Sequence, residues 1–107
     1  DGKAAYACTL QATSAAGCKI TTIEGLGTPE QPHAIQRAFL EEQAGQCGYC
    51  LSGIMISTKA LLDAIPNPTR AEIAAALDKT LCRCGAHLRI IRAVERAAEL
   101  LATEARA

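Results

Sequence analysis

Gln46-Cys47-Gly48-Tyr49-Cys50, answered later by Cys82-Arg83-Cys84-Gly85, is the pair of stretches on which the reading of this chain turns. Each cysteine pair is embedded in apolar helical sequence, and together the two offer four thiolates to one site. A Cys-x-x-Cys plus Cys-x-Cys layout suits a tetrahedral zinc or an iron–sulfur cluster. Cys47 and Cys50 stand three residues apart, about one helical turn, so both sulfurs can lean toward one point. Cys82 and Cys84 are too close for that and fit a tight loop just before a helix.

Composition narrows what else the chain can be. Its 107 residues set an expectation of a single domain, or a domain plus a fragment. Half of the residues are hydrophobic, enough for a core, but only Tyr6, Phe39 and Tyr49 are aromatic. A core of Leu, Ile and Ala favours packed helices over a sheet sandwich. Eleven basic residues balance eleven acidic ones, so nothing selects nucleic acid or an anionic membrane. No apolar run approaches the roughly 20 residues that span a bilayer. Six cysteines would suggest disulfides in a secreted domain, but pairs one or two residues apart are poor long-range staples. The spacing therefore favours a metal or cluster.

Outward from the cysteines the pattern is helical. Pro32 suits a first helical position, and Ile35, Phe39 and Leu40 form a stripe that Gly45 ends. After Cys50, the residues Leu51, Ile54, Met55, Thr58, Leu61, Leu62 and Ile65 recur at three and four, up to Pro66 and Pro68. Thr69-x-x-Glu72 reads as a capping box that opens a third helix with a face of Ile73, Leu77 and Leu81. The fourth helix follows Gly85, with Leu88, Ile91, Val94, Ala98 and Leu101 inward. The order is helix, cysteine pair, helix, twice over. Two such hairpins can face each other about an approximate two-fold axis with the sulfurs converging.

Upstream, Asp1-Gly2-Lys3 reads as a turn and Lys3 to Leu10 as a short strand. Lys19-Ile20-Thr21-Thr22-Ile23 reads as a second strand after Gly17. Two strands alone cannot cover a hydrophobic face, so they read as the remnant of a larger sheet. Residues 1–28 are set apart as this remnant and its linker, and residues 29–107 as the helical unit.

Several residues near the cysteines admit two readings. Gly48 and Gly85 either bring backbone N–H groups toward the sulfurs or merely punctuate helices; Gly45 and Gly53 flank the same site. The helix starting near Cys50 aims its N-terminal dipole at the site, which suits an anion. Arg83 either offsets thiolate charge or points into solvent. His87 makes a Cys-Cys-Cys-His zinc site conceivable, though a capping or surface role suits it better; His33 reads as structural or exposed. Cys18 has no spaced partner and reads as a small apolar residue.

The run Glu41-Glu42-Gln43-Ala44-Gly45-Gln46-Cys47-Gly48-Tyr49-Cys50, then Gly53-Ile54-Met55 and Leu81-Cys82-Arg83-Cys84-Gly85, resembles the iron–sulfur subunits of molybdenum hydroxylases. These are the xanthine dehydrogenase and aldehyde oxidase enzymes. Thr22-Ile23-Glu24-Gly25-Leu26 and His87-Leu88-Arg89-Ile90 fit the same family. The wording is most like the bacterial small subunits of the isoquinoline oxidoreductase, nicotinate dehydrogenase and aldehyde dehydrogenase group.

The resemblance implies that Cys47, Cys50, Cys82 and Cys84 ligate a 2Fe–2S cluster in an all-helical domain; ligand chemistry alone leaves zinc, a lone iron and a 4Fe–4S cluster open. It implies that Gln46 and Cys84 lie against the pterin of a molybdenum cofactor held by a large partner subunit. Cys8 matches the last ligand of a second, plant-ferredoxin-like 2Fe–2S cluster, and residues 1–28 then belong to a β-grasp domain. The three other ligands of the plant-type Cys-x₄-Cys-x₂-Cys pattern are not in this sequence, which suggests a separate segment or a fragment. The implied function is electron transfer from the molybdenum centre to an acceptor such as a cytochrome c or a flavin subunit, in the cytoplasm or periplasm. The alternative is a zinc-stabilised helical interaction module.

Overall fold

The computed structural model describes residues 1–106 and builds four helices: α1 (Ala34–Glu41), α2 (Leu51–Ala64), α3 (Arg70–Ala76) and α4 (His87–Arg106). Each helix sends one isoleucine into a common core: Ile35, Ile54, Ile73 and Ile90 are fully buried, with Val94 beside them. Burying such a side chain stabilises by about 1.5–3 kcal/mol, so these residues are the main cohesive element. Ala38, Ala93 and Ala97 also have no exposure. Small side chains there let α1 and α4 pack as the most intimate helix pair of the fold.

That pair runs antiparallel, because Arg37 bonds to Glu104 while Glu41 receives Arg96. Arg70 reaches Glu95 with two parallel bonds, of 3.0 and 3.2 Å, and so fastens α3 to α4. Exposed ion pairs of this kind contribute at most about 1 kcal/mol each, so they set register more than stability. Thr58 is the one buried polar side chain among the described residues, and its hydroxyl donates to the Ile54 carbonyl at 2.8 Å.

The helix starts and stops correct parts of the sequence reading. The Thr69–Glu72 capping box is present as expected. A second one, unforeseen, opens α1: His33 is the N-cap, so Pro32 lies before the helix and not at its first position. At the other end of α1 the stop is Gln43 rather than Gly45. Gln43 takes a left-handed φ of 49°, its N–H bonds to the Leu40 carbonyl, and the Ala44 N–H bonds to the Phe39 carbonyl. This is a Schellman closure, with buried Ala44 and Phe39 as its hydrophobic pair. A non-glycine residue in this region costs about 1 kcal/mol. Gln43→Gly should therefore raise the melting temperature by a few degrees, and an unchanged or lower value would show that the glutamine side chain is needed there.

Three leucines assigned inward are exposed instead: Leu40, Leu81 (74%) and Leu88 (63%). For Leu81 the reason is length, since α3 stops at Ala76 and the chain leaves helical register before residue 81. For Leu88 the true inner face of α4 is Ile90, Ala93, Val94, Ala97 and Ala98. Its alanines carry too little hydrophobic signal to draw the face correctly.

The two strands upstream do not form; no strand exists among the described residues. The chain instead makes a turn after Tyr6 and short 3₁₀ turns at Ala12–Ala15 and Ile23–Gly25. The two stretches do meet at one end. The Asp1 ammonium donates to the Lys19 carbonyl (2.8 Å), and the Lys19 N–H donates to the Asp1 carboxylate (3.0 Å). One such link is not a ladder, and a lone pair of strands has no face to rest on. The N-terminal stretch is held through Ile23–Gly25 against α2, through Leu26 on the core, and by the Tyr6 hydroxyl donating to the Lys79 carbonyl.

Candidate metal centre

Both cysteine motifs fall on bends that deliver a helix. Cys47-Gly48-Tyr49 turns into α2, with Cys50 as its N-cap residue; Cys82-Arg83-Cys84-Gly85 turns into α4. At each bend a glycine follows a cysteine with a left-handed φ, +83° at Gly48 and +73° at Gly85. An added Cβ would meet nothing within 4 Å at either position. The requirement is therefore conformational and not spatial, and it costs any other residue about 1–2 kcal/mol. Each turn also aims backbone N–H groups at sulfur. The Tyr49 N–H donates to Cys47 Sγ at 3.5 Å, and amides of Ala86, Cys84 and Gly85 point at Cys82.

The sulfurs influence one another across the bends, Cys47 chiefly with Cys84 and Cys50 chiefly with Cys82, while Cys47 also feels the charge of Cys82. No group of three His, Cys, Asp or Glu is gathered closely enough among the described residues to surround a single ion. Two facing sulfur pairs suit a binuclear core, in which each metal takes two thiolates. None of the six cysteines is joined in a disulfide.

The electrostatics favour thiolate at both ends. The Tyr49 amide, followed by the Cys84 thiol, pulls the Cys47 thiol below its ordinary range. The Ala86 amide leads the group that lowers Cys82. Cys50 moves the other way, because burial comes first and its own thiol donates to Cys82. N–H groups that lower a free thiol are the same groups that stabilise a sulfur ligand carrying negative charge. The four cysteines and their amides thus fit an anionic iron–sulfur cluster. The donors are backbone atoms, which residue type does not reveal; the only trace in the sequence is the glycine that follows Cys47 and Cys84.

The four cysteines are not equally placed. Cys82 is buried and Cys50 half-buried, whereas Cys47 and Cys84 are exposed. Gln46, Arg83 and Tyr49 lie exposed on the same two bends, Tyr49 at 94%. Cys8 sits elsewhere, in the exposed turn after Tyr6. Cys18 is also exposed, with only a 3.8 Å contact from its sulfur to the Ser14 carbonyl.

Comparison with known proteins bears on this donor set directly. Residues 22–95 match the family model described as 2Fe-2S binding domain. The chain is 54% identical to a nicotinate dehydrogenase subunit of Pseudomonas putida over 99 residues, covering 92% of this chain and 63% of that protein. It is 46% identical to the alpha subunit of isoquinoline 1-oxidoreductase of Brevundimonas diminuta, covering 92% of this chain and 64% of that one. The structure superposes on the aldehyde oxidoreductase of Desulfovibrio gigas with a TM-score of 0.92 at 36% identity, over 97% of this chain and 12% of that one. The chain therefore spans less than two thirds of the length of these relatives.

Proposed function

This chain belongs to the 2Fe-2S binding domain family, and from that premise we propose that it is the electron-transfer part of a molybdenum hydroxylase. The observation that carries the proposal is the pairing of four cysteines, Cys47 with Cys84 and Cys50 with Cys82, on two amide-rich bends. Bound there, a 2Fe–2S cluster supplies a one-electron store whose potential follows from charge, hydrogen bonds to sulfur and exposure. Cys82 and Cys50 anchor that site to the core, and their burial keeps water from its inner side. Cys47 and Cys84 face outward, which leaves a short path for an electron to a partner seated on the bends. Gln46 and Cys84 are the residues proposed to meet the pterin of a large molybdenum-cofactor subunit. The substrate oxidation itself belongs to that subunit.

The same reading extends to the finer points. The Cys47-Gly48 and Cys84-Gly85 bends are proposed as counterparts about an approximate two-fold axis, within a helical unit of residues 29–107. Residues 1–28 are proposed as part of a ferredoxin-like unit in which Cys8 serves a second cluster. A cytochrome c or flavin subunit is the proposed acceptor, in the cytoplasm or periplasm.

Iron analysis tests the core of this reading. The 107-residue chain purified without oxygen should be red-brown, carry about two irons, and give one type of reduced-state EPR signal. A colourless protein with one zinc per chain would overturn it in favour of a zinc-stabilised module. Four irons would mean that Cys8 and Cys18 already have partners here.

A further inference from the structure

The cap of α1 is a titratable one. His33 Nδ1 accepts the Ile35 N–H at 3.1 Å, while the His33 backbone N–H donates to Gln36 Oε1 at 2.9 Å. Most helix caps are hydroxyls, amides or carboxylates, which keep their acceptor across the neutral range. An imidazole keeps its acceptor only while neutral. Protonation turns both ring nitrogens into donors and sets a positive charge at the positive end of a helix.

We propose that His33 is a pH-sensitive clasp on the first turn of α1: neutral, it caps the helix; protonated, it releases that turn. The charged groups around the ring are Arg37 on α1, Lys59 and Asp63 on α2, and Glu104 on α4. The two carboxylates that would welcome an imidazolium are already engaged, Asp63 by Lys59 at 2.5 Å and Glu104 by Arg37. Partial burial, with Lys59 next in importance, accordingly holds the ring below the ordinary histidine value of 6.5. Because the folded chain favours the neutral ring, the contribution of the cap is full above 6.5 and is lost as pH falls through the lower folded value. The clasp lies at the opposite end of α1 from the Cys47 bend and does not rest on the redox reading.

Hydrogen exchange on the iron-loaded chain tests this. Protection of the Ile35 amide, corrected for intrinsic exchange, should fall about fivefold as pH drops from 7.5 to well below the ordinary histidine range, the loss expected for one helix cap. His33→Asn supplies a cap that does not titrate and should hold that protection level across the same interval. The variant keeps His87, so any response arising there persists in it. Native protection that stays constant, or a variant that loses as much as the native chain, would overturn the proposal.

Discussion

Replacing Cys82 with serine should remove the visible absorption and the iron of the helical unit together. Cys82 is the innermost of the four sulfurs, only 7% exposed, and it is the meeting point of three backbone amides and the Cys50 thiol. A serine hydroxyl is a shorter, harder ligand that cannot replace thiolate at the same backbone position. The domain should lose stability as well, because metal binding free energy is folding free energy where the ligands are brought together only by the fold. Cys18→Ser is the matched control: an exposed thiol with one long contact, expected to leave iron and melting temperature unchanged. Full cluster absorption in Cys82→Ser would remove that residue from the ligand set.

The second large effect is expected in the core. Phe39 is 5% exposed and the only buried aromatic residue among those described, and its carbonyl also closes the end of α1. Phe39→Ala should cost about 3–5 kcal/mol, a large share of the roughly 5–15 kcal/mol that holds a typical domain folded. Its neighbour Leu40 faces solvent, so Leu40→Ala should change stability by less than about 0.5 kcal/mol. Urea denaturation of the two iron-loaded variants checks this, and equal shifts of the midpoint would refute the assigned burial.

The contrast between Phe39 and Leu40 also shows where sequence reading runs out. Apolar periodicity finds the four helices, because leucines and isoleucines recurring at three and four fit the helical period and not the alternation of a strand. It does not find which side of a leucine-rich stripe is inside when alanines such as Ala93 and Ala97 complete the face. Backbone closures are harder still. His33 and Gln43 do what serine and glycine usually do, and no propensity rule selects them. Upstream, β-branched residues point to strands, but strand formation depends on neighbours that the local pattern does not contain. At the site, the candidate cysteines are plain from spacing. The cross-pairing of Cys47 with Cys84 and Cys50 with Cys82 is not, since it depends on how two hairpins dock.

That cross-pairing has a topological consequence. The two bends lie far apart along the chain, with all of α2 and α3 between Cys50 and Cys82. Any inorganic core that bonds to both bends closes this stretch into a ring, as a disulfide would. By chain entropy alone, a ring of this size restricts the unfolded ensemble by about 3–4 kcal/mol. The cluster then acts as a cross-link as well as a store for an electron. Once bound, it ties the N-terminal starts of α2 and α4 to each other across the whole of the intervening helical hairpin.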